Sequence, residues 1–253
     1  MTAEKKYEEA VILRTKNIGE YNKMVFLFTR ERGKIKAVAY GARKLKNRFG
    51  SALEPFTHGK VLIIENNRGT AIASLDQVEI LHSAFGLYED YVTASHLYYY
   101  SELLDSFLPE EHPEENIFRL TLEMVRGFEL RLSPMRVAAY FEVWLLRLLG
   151  FLPDYKNCHH CRKNLRADKE IFIAHEGYLF CENCRTKGLD EGKKEEPVYH
   201  TLELIVKNKI DSKELNSVKL ANNAILNWTT QLFQNGIGRE IKSYKNLREI
   251  RNY

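Results

Sequence analysis

The chain has 253 residues, of which 44% are hydrophobic and 28% are charged. This composition excludes a chain that is disordered throughout, and no apolar run approaches the roughly 18 residues that predict a membrane span. The net charge of +4 hides an uneven distribution, because residues 1–80 carry +6, residues 81–157 carry −6 and residues 158–253 carry +4. A basic first segment is the natural partner of a polyanion such as a nucleic acid.

Five short stretches in the first segment have the β-branched, aromatic or alternating composition of strands, and turn residues separate them. Five strands this close together predict a small closed barrel. The OB-fold is the five-stranded barrel that commonly binds oligonucleotides, although an SH3-like barrel fits the strand count as well. The predicted strands are 9–15, 23–29, 34–40, 59–65 and 70–81.

The stretch GARKLKNRFG, residues 41–50, follows the third predicted strand and contains four cations and no acid. One interpretation is a solvated loop; the other, which the basic segment favours, is a flexible loop that tracks phosphates. Lys34 and Lys36 alternate along the preceding strand and share a face that extends the basic surface. Phe49 is equally suited to stack on a base or to cover the barrel core. The predicted nucleic-acid-binding residues are Arg14, Lys34, Lys36, Arg43, Lys44, Lys46 and Arg48.

From Ser83 onward the apolar spacing becomes helical. The predicted helices cover residues 87–108, 117–130 and 133–151. The last has Ser133 at its N-cap and Pro134 in its first turn, and it is apolar nearly all round, which predicts the centre of a helical bundle. Consecutive residues on a helix point in different directions, so the three tyrosines at 98–100 are expected in the core more than in a base-stacking platform.

The acidic segment should turn away from DNA and face a partner protein. Arg119 and Arg126 are seven residues apart on one predicted helix, so they share a face and are candidate partner-binding residues for an acidic peptide. The alternative is that they pair within the helix with Glu115, Glu123 and Glu129.

All four cysteines form two Cys-x-x-Cys pairs separated by nineteen residues: Cys158 and Cys161, then Cys181 and Cys184. This spacing predicts a tetrahedral four-thiolate zinc site, with a redox dithiol and unrelated buried thiols as the rival interpretations. A shell of four cysteines leaves no position for substrate, so we expect one structural Zn²⁺ per chain. The stretch between the pairs predicts a hairpin that turns near Gly177.

Signals for an enzyme or for secretion are missing from the sequence. The phosphate-binding glycine loops, the Gly-x-Ser-x-Gly and His-Glu-x-x-His motifs and the deaminase pattern are absent, so we expect no catalytic activity. The N-terminal stretch MTAEKKYEEAVILRT has charges on both sides of its apolar residues. We therefore expect no secretory signal and a reducing, cytoplasmic compartment.

Several short motifs follow one another in the first segment: LRT, GE, LFT, GARK and PF. Further along, YFEVWLLRLLGFLPDYKNCHHC and GYLFCENC place a helix directly before the cysteine pairs. In this order the motifs resemble the bacterial RecO family of recombination and repair mediators. The resemblance covers nearly the whole chain and weakens only after about Lys187.

The resemblance implies an α+β protein with an N-terminal five-stranded OB-fold barrel and a C-terminal all-α helical domain that carries an inserted four-cysteine zinc module. The implied segments are the barrel at 1–81, the helical domain at 82–157 and 188–253, and the zinc module at 158–187.

The resemblance also implies a function. Proteins of this family are not known as enzymes; they bind single- and double-stranded DNA, anneal complementary strands and act in DNA damage and SOS responses at the nucleoid. With RecR, and in some pathways RecF, they help to load RecA onto strands covered by single-strand-binding protein, whose acidic tail some members contact. An RNA-binding protein with an OB-fold and a zinc module is the alternative that composition leaves open.

Overall fold

The computed structural model describes residues 6–65, 72–166, 168, 171–185, 193–195, 198–217 and 223–251. Contacts divide the chain into two units, 1–125 and 126–253. The first unit contains the barrel and the helix that follows it, whereas the second contains the cysteines and most of the remaining helices. Within the described residues, no helix is long and apolar enough to cross a bilayer.

The first unit is built on a five-stranded barrel closed in the order β1-β2-β3-β5-β4, which confirms the predicted OB-fold. Neighbouring strands are antiparallel except for β3 and β5, which pair in parallel over two residue pairs. Each predicted strand is present with shifted ends, and Thr70 lies outside the described residues. The strands are β1 Lys6–Ile18, β2 Asn22–Thr29, β3 Gly33–Ala39, β4 His58–Ile64 and β5 Ala73–His82.

The barrel core consists of the inward side chains of the strands, such as Val25 and Leu27 on β2. The connection between β3 and β4 adds Phe49 and Leu53 to this core, and Phe56 is also buried. The ring of Phe49 therefore covers the core and presents no face to a ligand.

Three helices follow the barrel, after a 3₁₀ helix at Phe85–Glu89: α1 Tyr91–Phe107, α2 Glu115–Glu129 and α3 Pro134–Leu148. Helix α1 begins after Asp90, whose carboxylate accepts a hydrogen bond from the Thr93 N–H at 2.8 Å. Ser133 is the N-cap of α3, as predicted, but its side chain makes no capping bond.

Helix α1 packs on the barrel within the first unit. The Ser101 hydroxyl donates to the Leu13 carbonyl of β1 at 2.7 Å. Tyr99 and Tyr100 are buried as expected, whereas the expectation of a core position is wrong for Tyr98, which is exposed. The three consecutive tyrosines therefore form no common platform, as their helical spacing predicts.

The second unit combines a small sheet with helices. Strands β6 and β7 form the predicted hairpin around Gly177, and β8 pairs with the other edge of β6, an addition that the sequence did not predict. Helix α3 packs on α5 and α7, where the buried Glu142 accepts a hydrogen bond from Thr229. The elements are β6 Ile171–Ile173, β7 Leu179–Phe180, α4 Glu182–Arg185, β8 Lys193–Glu195, α5 Tyr199–Lys207, α6 Lys213–Ser217, α7 Asn223–Ile237 and α8 Tyr244–Arg251.

Candidate nucleic-acid interface and metal centre

Three of the predicted DNA-binding cations lie on the outer face of the barrel and are paired with acids that follow it in sequence. Arg14 Nε lies 2.8 Å from Asp105 Oδ2. Lys34 Nζ donates to the Asp105 carbonyl and lies 3.6 Å from Asp105 Oδ1, and Lys34 is only 7% exposed. Lys36 pairs with Glu110, whose pKa it lowers by hydrogen bonding. We call Arg14, Lys34 and Lys36 the paired cations.

The chain segment after α1 runs beside β3 and so places its acids there. The Glu111 N–H donates to the Lys34 carbonyl at 3.0 Å. Gly33 makes this approach possible, because a Cβ at that position would lie 1.9 Å from the His112 carbonyl oxygen. Its φ of +72° also favours glycine.

A second ionic contact joins the barrel to the start of α2. Arg30 binds both carboxylate oxygens of Glu115 at 2.6 and 2.7 Å and also contacts Glu9 at 2.8 Å. These bonds raise the pKa of Arg30 and lower that of Glu115. Much of the opposite charge of the first two segments therefore pairs internally.

The remaining predicted cations lie in residues 41–50, which we call the basic loop. Arg43, Lys44, Lys46 and Arg48 are all exposed, and Leu45 between them is fully exposed. Ala42 and Phe49 point into the barrel core and anchor the two sides of the loop. The loop therefore presents its charged side chains to solvent from a fixed base.

Hydrogen bonds lie at both ends of the basic loop. The Gly41 N–H donates to Asn22 Oδ1 at 2.9 Å, and Asn47 Oδ1 accepts from the N–H groups of Phe49 and Gly50, each at 2.9 Å. Gly41 and Gly50 have φ angles of +72° and +52°, which explains glycine at both ends.

The cations of the basic loop make fewer ionic contacts than the paired cations. Arg43 Nη1 donates to the Gly19 carbonyl at 2.9 Å, and Arg48 lies 3.2 Å from the Asp76 carboxylate with half of its side chain exposed. Lys44 Nζ lies 5.6 Å from the centre of the Tyr21 ring. A carbonyl or a ring leaves the positive charge uncompensated, so it remains available to an anion.

The two candidate partner-binding residues are both exposed on α2. Arg126 Nη2 contacts Asp211 Oδ2 at 2.6 Å. Arg119 lies close enough to Glu115 to lower the pKa of that carboxylate, although Glu115 bonds to Arg30. The Arg119–Glu115 interaction lies within α2, whereas Asp211, the acid bound by Arg126, lies outside that helix.

The four cysteines come together as their spacing predicts. Their Sγ atoms all lie within 4.8 Å of one another, and every one except that of Cys161 belongs to a buried residue. Among the residues that the structure describes, these four cysteines are the only group of three or more His, Cys, Asp or Glu side chains with ligand atoms close enough to hold a metal ion.

Backbone hydrogen bonds position each Cys-x-x-Cys pair. The Cys158 N–H donates to Lys163 O at 2.8 Å and closes the first turn, whereas the Cys184 N–H donates to Cys181 O at 3.0 Å. The Cys181 N–H points at Cys158 Sγ, 3.4 Å away. This contact joins the two pairs and favours a thiolate at Cys158.

The electrostatics of the cluster favour a bound cation. Burial raises the pKa of Cys158, but the N–H groups of Cys161, Cys181 and His160 outweigh it and bring that pKa to about 7. Burial and the neighbouring thiols raise the pKa of Cys184 to about 12. Four adjacent thiolates repel one another, so a metal ion is the natural means of stabilising them.

Comparison with known proteins gives a consistent result over nearly the whole chain. The model of the family "Recombination protein O N terminal" matches residues 1–84, and that of "Recombination protein O C terminal" matches residues 88–245. The chain belongs to the RecO family. Its resemblance in sequence motifs is thereby confirmed.

Individual RecO relatives support the same assignment. The DNA repair protein RecO of Koribacter versatilis (strain Ellin345) is 38% identical over 181 residues, which are 70% of this chain and 72% of the relative. That of Bacillus pumilus (strain SAFR-032) is 32% identical over 71% of this chain and 68% of its own. That of Thermoanaerobacter sp. (strain X514) is 29% identical over 84% of both chains.

In this RecO family member, α7 holds the hairpin between the cysteine pairs, a role that the sequence alone did not indicate. Trp228 Nε1 donates to the Gly177 carbonyl at 2.7 Å. Gln231 and Asn235 donate to the His175 carbonyl at 2.6 and 3.0 Å. The turn of the hairpin is therefore bound to the helical part of its own unit.

The ion pairs of the first unit predict that removing the charge of Asp105 lowers the free energy of unfolding more than removing the charge of Glu110. Asp105→Asn leaves the nearly buried charge of Lys34 without its carboxylate and should lower the free energy of unfolding by about 2–3 kcal/mol. Glu110→Gln breaks a more exposed pair and should cost less than about 1 kcal/mol. Urea unfolding curves of both variants measure the difference, and equal costs would contradict the assignment of Lys34 to a structural role.

Proposed function

We propose that the protein is a non-enzymatic mediator of DNA repair and recombination that binds single- and double-stranded DNA and anneals complementary strands. It would act in the cytoplasm at the nucleoid. Membership of the RecO family supports the role in DNA repair, and the relatives described above carry the name DNA repair protein RecO.

The observation that carries the DNA-binding proposal is the basic loop. Arg43, Lys44, Lys46 and Arg48 extend from the barrel on a hydrogen-bonded loop that contains no acid. Such a surface attracts phosphates irrespective of base sequence, by displacing condensed counterions. The paired cations do not enter this proposal, because Arg14 and Lys34 share the Asp105 carboxylate and Lys36 pairs with Glu110.

Annealing follows from the same charges without any covalent step. Two complementary strands repel each other through their phosphates, and a cationic surface that binds both reduces this repulsion. The bases stay free to pair because the loop contacts the backbone. The protein then acts by bringing strands together, and loading of RecA with RecR or RecF would follow on the strand that it holds.

The cysteine cluster fits one structural Zn²⁺ per chain. Zinc–thiolate bonds of about 2.3 Å in a tetrahedron place the sulfur atoms about 3.8 Å apart, and Cys161 Sγ lies 3.7 Å from Cys181 Sγ. Four thiolates complete the coordination, so the ion would stabilise the fold and leave no position for a substrate. Cys158, Cys161, Cys181 and Cys184 would be its ligands.

Partner proteins are proposed on the family assignment. RecR and the acidic tail of single-strand-binding protein are the candidates, with Arg119 and Arg126 as contacts for the tail. Both arginines are exposed, and Arg126 would have to exchange Asp211 for the tail. Titration of a labelled tail peptide against Arg119→Ala measures this contact, and unchanged affinity would exclude it.

The zinc proposal predicts one ion per chain and a loss of stability without it. Cys181→Ser should reduce the zinc content well below one ion and lower the thermal midpoint, because the buried thiolates lose their common cation. Glu182→Gln changes the neighbouring exposed side chain and should keep both values. Elemental analysis with thermal melts measures them, and a fully stable zinc-free Cys181→Ser protein would contradict the structural role.

The DNA proposal predicts that the protein accelerates annealing of labelled complementary oligonucleotides, with and without single-strand-binding protein. Replacing the four cations of the basic loop by Gln should abolish most of the acceleration, while circular dichroism shows an unchanged fold. Structured RNA serves as the competitor. Preferential displacement of DNA by RNA would instead favour the RNA-binding alternative.

A further inference from the structure

Two exposed aromatic rings lie at the end of the barrel that carries the basic loop. Residue pairing places them there: Ile18 pairs with Asn22 at the end of β1 and β2, and Lys23 pairs with Ala39 at the end of β3. Tyr21 and Tyr40 lie just beyond these pairs. Both therefore lie at the point where the chain enters the loop.

Backbone contacts tie Tyr21 directly to the basic loop. The Arg43 N–H donates to the Tyr21 carbonyl at 3.0 Å, and Lys44 Nζ lies 5.6 Å from the centre of the Tyr21 ring. Tyr40 immediately precedes Gly41, the first residue of the loop. Cations and rings are thus adjacent parts of one surface.

Both rings are accessible, although aromatic side chains usually gain stability by burial. Tyr21 is 48% exposed and Tyr40 is 54% exposed. The neighbouring Glu20 carboxylate raises the pKa of the Tyr21 hydroxyl. The aromatic ring of Phe49, by contrast, is buried and unavailable.

Cations next to exposed aromatic rings are the chemistry of single-strand binding. A cation attracts the phosphate while the ring stacks on the base, and every base offers a face for stacking. Bases within a duplex are already stacked and paired, so rings at the rim of a barrel cannot reach their faces. The turn between the first two strands also belongs to the surface with which OB-folds commonly bind oligonucleotides.

We propose that Tyr21 and Tyr40 stack on unpaired bases and make this surface select single-stranded over double-stranded DNA. The inference rests on the proposed function, because the cations of the basic loop bring the strand to the rings. The division of roles is specific: the cations act on either form of DNA through its phosphates, and the two tyrosines act on bases alone.

The test compares three fluorescent probes of equal length with the full chain: an oligothymidylate, the same strand without bases and a duplex. Wild-type protein should bind the oligothymidylate at least tenfold more tightly than the abasic strand, since stacking contributes roughly tenfold per base. The double variant Tyr21→Ala/Tyr40→Ala should lose this difference and keep its affinity for the duplex. Tyr21→Phe/Tyr40→Phe keeps both rings and should bind like wild type.

Each outcome bears on the inference. Equal binding of the base-bearing and abasic strands by wild type overturns it without any variant. Retained discrimination in the alanine variant, or an equal loss on all three probes, also overturns it. The variant with Gln at Arg43, Lys44, Lys46 and Arg48 separates this inference from the proposed function. If that variant binds every probe like wild type, the proposed binding of DNA by the basic loop is wrong as well.

Discussion

The pairing of Asp105 with Arg14 and Lys34 is the constraint on which the first unit depends. It joins the end of α1 to the outer face of the barrel, where one carboxylate contacts two cations from the most basic part of the sequence. Glu110 and Glu115 extend the same arrangement to Lys36 and Arg30. These cations therefore have acidic partners on the following segment, whereas in the basic loop, which we propose binds phosphates, the acidic contact is that of Arg48 with Asp76.

The second unit also brings like charges close together, at its four cysteines. Its four sulfur atoms lie within 4.8 Å of one another and repel one another once ionised, so the cluster is suited to a bound cation. The hairpin that connects them is bound to α7 through Trp228, Gln231 and Asn235. Order at the cysteine cluster is therefore linked to packing of the helices, which fits a structural ion better than a reactive one.

Local sequence patterns predicted the strands and the cysteine cluster, but they did not predict contacts between residues that are far apart in the sequence. The five strands follow from alternating and β-branched runs, and the cysteine cluster follows from two Cys-x-x-Cys pairs, because each strand run and each cysteine pair is a local signal. Arg14 and Asp105 are 91 positions apart, so nothing near Arg14 indicates its partner. The opposite net charges of the first two segments indicate attraction between them, but a net charge does not show which cations pair with acids. Local sequence patterns likewise did not predict β8, the third strand of the small sheet, or the contacts of α7 with the hairpin.

The most direct test of this division is the salt dependence of binding to single-stranded DNA. The slope of log affinity against log salt should flatten by about 0.7 for each phosphate that the protein no longer neutralises. We predict this flattening for the variant with Gln at Arg43, Lys44, Lys46 and Arg48, and an unchanged slope for Arg14→Gln/Lys36→Gln. A slope that flattens in the second variant and stays unchanged in the first would contradict the account.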